Sequence, residues 1–210
     1  MNFDFEALPP VDRYKLVTST VVPRPIAWIV SQDAQGVVNA APYSFFNAFS
    51  NDPVIIGVGC GPRPEGSDKD TLANIKATGQ FTICLVPYSA IDGMNVTATD
   101  FPPGTDEIAA AGLTTAPSVK VKPPRIAESP VALECETFQL IPVGHHTIVL
   151  GKVLGMYVAD EAVLNAEKRY IDTPKLDLVG RMHGGGWYAR TTDRVEVPRI
   201  PYAKWLESQG

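Results

Sequence analysis

Three stretches of this 210-residue chain combine residue types that can do chemistry. In the first, Asn39-Ala40-Ala41-Pro42-Tyr43-Ser44-Phe45-Phe46-Asn47, polar Asn39, Ser44 and Asn47 are interleaved with aromatic Tyr43, Phe45 and Phe46. A flat heteroaromatic ligand needs this mixture: apolar surface for its faces and a few donors for its edge. A strand entering a turn, with ordinary core aromatics, would read the same way. The second is Lys69-Asp70-Thr71 with Asn74 one turn later, near the start of a helix. Free backbone N–H groups and the positive dipole end favour an anion there, Lys69 adds a full charge and Thr71 a hydroxyl. A capped surface helix with a solvated lysine is the plain alternative. In the third, Gly144-His145-His146-Thr147, adjacent strand histidines point to opposite faces and do not share one metal. One of the two is then free to face a cavity. His183, in Arg181-Met182-His183-Gly184-Gly185-Gly186-Trp187-Tyr188, sits in a run that permits close approach of a ligand or partner chain, or simply forms a loop.

Other chemistries find little support. The phosphate-loop, zinc-helix and nucleophile-elbow patterns are absent. Gly57-Val58-Gly59-Cys60-Gly61 is glycine-rich, but Pro62-Arg63-Pro64 follows and cannot open a dinucleotide-binding helix cleanly. Cys84 alternates with core positions and reads as a small buried apolar group. Glu134 and Glu136 share a strand face with Phe138, which suits a solvated exterior or an interface better than acid–base work. No metal site is expected.

The elements that must position these residues are mostly strands. Residues 26–31 are apolar, aromatic and β-branched, hence a strand, and Asp33-Ala34-Gln35-Gly36 turns it into a hairpin with the chain that resumes at Val37. Residues 54–59 form another buried strand, in which Gly57 and Gly59 leave room for something to approach. Residues 67–77 predict a helix with Leu72 and Ile75 on one face, Ser67 or Asp68 as cap and Gly79 as stop. Residues 80–86 alternate, which predicts a half-buried strand. A long connection over 87–104, containing Asn95, Thr97, Thr99 and Asp100 and ending in Pro102-Pro103-Gly104, has the length of a functional loop. A short helix over 105–111, long paired strands over 131–141 and 146–158 joined across Pro142-Val143-Gly144, and short helices over 160–169 and 201–208 complete the pattern. Residues 11–17 read as a short helical or extended lead-in.

The composition agrees. With 19 prolines and 17 glycines the chain is punctuated well beyond the usual ~12%, which excludes a helical bundle but stays below disordered composition. A net charge of −5 argues against a nucleic-acid partner. Three cysteines without paired spacing point to a reducing, cytoplasmic setting. The acidic N-terminus is unlike a signal peptide, and no apolar run is long enough for a membrane span. The expectation is a single mainly β (α+β) domain over 1–210, with a core of about 15–190 and an extension over 191–210. Its architecture would be a small closed or partly closed barrel with short peripheral helices, because closure removes exposed strand edges.

Ten segments occur in an order that resembles the flavin reductase-like family of FMN-binding split barrels, in its flavoredoxin-like branch. They are residues 22–31 (VPRPIAWIVS), 39–46 (NAAPYSFF), 50–53, Lys69-Asp70-Thr71 with Asn74-Ile75, 78–81, Glu107 with Ala111-Gly112-Leu113, 124–130, Leu133-Glu134-Cys135, 144–151 and 181–188. The resemblance implies a six-stranded antiparallel split β-barrel and a homodimer with non-covalent FMN at its interface. It implies that Trp28 and the stretch Asn39, Ala41, Pro42, Tyr43 and Ser44 lie against the flavin. Lys69 and Thr71 would hold its phosphate end with the N–H groups of the helix start, Asp70 and Asn74 would be among the cofactor-binding residues, and His146 would face the flavin as the catalytic residue. The implied activity is hydride transfer from NADH or NADPH to flavin and electrons onward. An FMN electron carrier without nicotinamide oxidation, or a flavin-free binding protein on the same barrel, is the alternative. Two departures stand out: Cys84 replaces a common Asn, and the glycine run beside His183 is longer than usual.

Overall fold

The computed structural model describes every residue except Pro103, Gly104 and Gly210, so the expected Pro102-Pro103-Gly104 stop lies partly outside the described residues. A leading helix, α1 (Pro10–Thr20), precedes four strands: β1 (Ala27–Gln32), β2 (Val38–Tyr43), β3 (Phe46–Asn51) and β4 (Val54–Cys60). Helix α2 (Asp70–Thr78) and strand β5 (Gln80–Cys84) follow, then short helices α3 (Ile91–Val96) and α4 (Glu107–Ala110). Small strands β6 (Thr115–Ala116) and β7 (Arg125–Ile126) lead to the long pair β8 (Val131–Val143) and β9 (His146–Val158). Two small hairpins, β10 (Val163–Asn165) with β11 (Tyr170–Ile171) and β12 (Val179–Arg181) with β13 (Tyr188–Arg190), precede α5 (Tyr202–Glu207).

The main sheet has seven antiparallel strands in the order β2-β1-β5-β8-β9-β4-β3, not six. The additional strand is β3, which follows β2 after a bend at Ser44-Phe45 where a turn was expected. These two strands occupy opposite edges of the sheet yet are joined by two residues. The sheet must therefore curl until its edges approach each other. The Gly59 N–H, donated to the Phe45 carbonyl at 2.8 Å, fastens the bend to β4.

Both faces of the central strands are covered. Ala27 and Ile29 of β1 pack with Ile56, Val58, Phe81, Ile83, Cys135 and Val149. Trp28 and Val30 pack in a second cluster with Cys84, Met94 of α3 and Ile108 of α4. Strand β5 is accordingly buried on both faces rather than half-buried. Its small polar groups are satisfied inside: the Thr82 hydroxyl donates to the Pro123 carbonyl at 2.8 Å, and the Cys84 sulfur accepts the Ile126 N–H at 3.3 Å.

Local chemistry also moves several boundaries. Helix α2 begins at Asp70, three residues later than expected, and stops at left-handed Gly79 (φ 71°), as glycine permits. The loop over 87–104 carries α3 and is not structureless. Residues 160–169 hold one 3₁₀ turn and then a hairpin, because the Asn165 side chain accepts the Lys168 N–H at 2.8 Å and closes a turn. The space over Gly57 and Gly59 is taken by the chain's own Phe49 and Phe45 rings, not left for a ligand. Glu134 is buried, accepting the backbone N–H groups of Val119 and Lys120, so it pins a loop rather than facing solvent. Glu136 pairs with Lys152 at 3.1 Å.

Candidate functional site

A cleft of about 240 Å³ opens where β2, the start of α2, residues 97–101 and Glu107 converge. Strand β2 contributes Asn39, Ala41, Pro42 and Tyr43, and the helix start contributes Lys69, Asp70 and Thr71. Seven of the expected site residues therefore meet in one place although they are about thirty positions apart. Asn39 Nδ2 donates to Thr71 Oγ1 at 2.9 Å, stitching the strand to the helix. The Thr71 hydroxyl proton is left to donate elsewhere.

Helix α2 has no side-chain cap at Lys69. Its first-turn N–H groups have no acceptor within the helix, and its positive dipole end faces the cleft. Lys69 forms no ion pair among the described residues, whereas Arg63 Nη2 holds Asp70 Oδ2 at 2.7 Å and offsets that acid's charge. The Tyr43 hydroxyl is buried and lacks a hydrogen-bond partner. Burial pushes its pKa well above the usual phenol range, so it stays a neutral O–H that can donate. An uncapped helix start, a free ammonium and a threonine hydroxyl suit a phosphorylated ligand with further polar groups.

The opposite wall is acidic. Glu107 and Asp100 line the cleft. Glu107 Oε2 accepts the Ala40 N–H at 2.9 Å and so ties α4 to β2. Burial raises the Glu107 pKa above the usual carboxylate range; the Ala40 N–H opposes that rise and Asp70 adds to it. Sequence reading flagged Thr97, Thr99 and Asp100 only as members of a long loop, and passed over Arg63 because its neighbouring prolines spoke against a helix. The signal available for Arg63 was a cation six positions before the expected anion site.

Four expected residues stand elsewhere. Trp28 is 0% exposed and touches no cleft; its indole N–H donates to Thr97 Oγ1 at 2.9 Å, so it supports the wall from behind. Asn74 donates to Ser31 Oγ at 3.2 Å and fastens α2 to β1 instead of meeting a phosphate. Ser44 lines a second cavity next door and accepts from Arg24 Nε at 3.3 Å. His146 is exposed at the start of β9, its imidazole beside Gly61, outside the cleft. His145 lies in the hairpin turn, where Gly144 has φ 57°, so the two histidines do not alternate across one strand. All three cysteines are free and buried; burial pushes Cys60 and Cys84 up to about 12, which leaves them inert thiols.

Comparison with known proteins places this geometry in a family. The flavin reductase like domain model matches residues 19–174. An uncharacterised protein of Deinococcus radiodurans is 45% identical over 98% of this chain and 92% of its own. Among solved structures, component B of nitrilotriacetate monooxygenase from Bacillus cereus is 30% identical, covers 94% of this chain and 98% of its own, and superposes with a TM-score of 0.87. The 2-nitrobenzoate 2-nitroreductase of Pseudomonas fluorescens is 32% identical with the same TM-score, over 96% of this chain and 98% of its own. The flavoredoxin of Desulfovibrio vulgaris shares the fold at 19% identity, with a TM-score of 0.75 over 94% of this chain and 97% of its own. The chain belongs to the flavin reductase-like family of split-barrel proteins.

Proposed function

We propose that the protein binds FMN in the cleft between β2 and α2 and is a flavin-dependent oxidoreductase that takes hydride from NADH or NADPH. The observation that carries the reading is the uncapped start of α2 beside Lys69, which forms no ion pair among the described residues, and Thr71, in a cleft also lined by Tyr43. When bound, the flavin supplies the redox chemistry, accepting hydride and passing electrons on. The chain's own residues bind and orient. Lys69, Thr71 and the first-turn N–H groups hold the phosphate. Asn39 and Glu107 accept or donate along a hydroxylated chain, and the Ala41-Pro42-Tyr43-Ser44 edge meets the ring system. Arg63, released from Asp70, adds a second cation.

The reading includes a homodimer, in which the exposed His146 is available to the second subunit's cleft as the catalytic residue. It also includes a cytoplasmic setting. No helix among the described residues is long and apolar enough to cross a membrane.

The test is to purify the protein, record its visible flavin absorbance after adding FMN, and mix the loaded protein anaerobically with NADH or NADPH. Bleaching within minutes supports the reductase. Retained colour without bleaching leaves an electron carrier, and failure to take up FMN overturns the cofactor assignment.

A further inference from the structure

Beyond β13 the chain continues as a segment that its own body leaves uncovered. Residues 194–201 hold neither helix nor strand, and α5 follows. Past Thr191, every hydrogen bond of the segment among the described residues falls within 201–209. Val195 and Val197 are 85% and 81% exposed, and Ile200, Tyr202, Trp205 and Leu206 are exposed as well. This is not the composition of a solvated tail. Over 191–209 the acids Asp193, Glu196 and Glu207 balance the bases Arg194, Arg199 and Lys204, and apolar residues recur throughout. The Tyr202 and Trp205 rings are stacked with 6.0 Å between centres, so the tip presents a preformed aromatic knob. Contiguous exposed apolar chain of this kind marks a contact surface.

A matching receptor lies at the root of the segment. An apolar groove of about 240 Å³ runs between the β12–β13 hairpin and the lead-in to β1, walled by Pro23, Pro25, Ile26, Leu85, Leu178 and Ala189, with Thr191 at its rim. Its backbone polar groups are already bonded. The Val179 N–H donates to the Val86 carbonyl at 3.0 Å, and Arg24 and Arg181 exchange N–H to carbonyl bonds at 2.9 and 2.8 Å. Arg190, the charged residue of the lining, is held by Asp177 at 2.8 and 2.9 Å and lies over the Tyr88 ring. The groove therefore takes apolar side chains, not an ion or a pairing strand.

We propose that residues 192–209 form an exchanged arm, whose Tyr202–Trp205 tip seats in this groove on a second copy of the chain. The arm's own groove is the wrong distance away. Pro198 and Pro201 stiffen the connection, and the ten steps from Thr191 to Pro201 reach roughly 30 Å at the spacing of a proline-rich spacer. In a two-fold pair the arrangement closes on itself: each tip meets the root of the other arm, and both grooves are filled. Extent points to the same occupant. A stable interface takes about 20–30 residues a side, and the exposed edge strand β3 supplies six, so an arm from each chain brings the contact to that size. The inference rests on the homodimer of the reading above and names the segment that locks it.

The test uses the whole chain, whose three native cysteines are buried and free. Chains carrying Leu206→Cys and chains carrying Ala189→Cys are co-expressed and oxidised with copper phenanthroline. A product of twice the 22.7 kDa chain mass is expected, in which mass spectrometry finds the two new cysteines joined. A chain with both changes should give the same bond between chains and none within one. Independently, Trp205→Asp, and Ala189→Trp, which fills the groove, should each weaken the dimer at least about tenfold in sedimentation. The two substitutions lie on different elements, so one still decides where the other fails to fold. A bond within one chain would assign the groove to its own arm. That result, no bond between the two positions, or a dimer unweakened by either substitution overturns the proposal. A single-chain mass for the unaltered protein overturns the homodimer reading with it, whereas a stable dimer without the bond overturns the arm alone.

Discussion

The indole of Trp28 and the carboxylate of Glu107 brace the cleft from behind and from the side, and each makes a bond whose loss can be measured. Thr97 Oγ1 accepts the buried Trp28 N–H. In Thr97→Val that donor loses its partner inside the core. A cost of about 1–3 kcal/mol is expected, read as a fall in Tm of about 2–12 °C. Glu107 is the opposite case, because its charge is partly desolvated. A carboxyl whose folded pKa is raised contributes stability below its unfolded pKa and loses it as pH rises through the folded value. Glu107→Gln keeps an acceptor for the Ala40 N–H and removes the charge. At pH 7 its Tm should rise by at most about 2 °C, and the gain should vanish on acidification below the carboxylate range. For the flavin, Lys69→Ala should weaken FMN about tenfold or more in a fluorescence titration, with Tm unchanged. Seven of the ten residues expected to meet a cofactor line one cleft, a grouping legible because polar and aromatic types cluster locally over 39–43 and 69–71. Trp28 and Asn74 were not legible, because a buried donor paired with the protein and one paired with a ligand look the same in a sequence.

At the scale of elements, apolar periodicity marked six strands of the main sheet and placed the turns after β1 and β8 to within a residue or two, but missed β3 and the small strands. It failed where side chains satisfy one another. The alternation over 80–86 looked half-buried because Thr82 and Cys84 are small and polar, yet both bond inside the fold. The hairpin after residue 162 was hidden by helix-favouring residues and is set by one Asn165 hydrogen bond. Packing between elements yields a further test. A Cβ on Gly151 of β9 would stand 2.5 Å from Phe81 Cζ and 3.2 Å from Ile56 Cδ1. Phe81 is fully buried and has nowhere to swing. Gly151→Ala should cost about 1–3 kcal/mol in chemical denaturation, with an unchanged m-value.

For the whole molecule, the unresolved question in the sequence was how the sheet manages its edges. The barrel was legible, and its strand count differed by one bend. Strand β3 keeps five of its six residues exposed, with Phe49 at 69%, so this edge and its aromatic ring lack a cover within one chain. Association through such an edge fits the proposed homodimer. Light scattering should then give twice the chain's own 22.7 kDa, and Phe49→Asp should shift the mass toward one chain.

The two-residue bend at Ser44-Phe45 acts as a clasp, since it alone carries the backbone from one edge of the sheet to the other. Chain breaks and insertions should therefore be tolerated very unequally along the barrel. New termini opened in the Asp33–Gly36 turn, or a flexible insert there, leave the curl of the sheet intact, since that turn joins strands already paired side by side. The same insert between Ser44 and Phe45 lets the edges drift apart and widens the wall formed by Tyr43 and Ser44, making permuted chains a direct gauge of how far closure of the barrel sets the shape of both cavities.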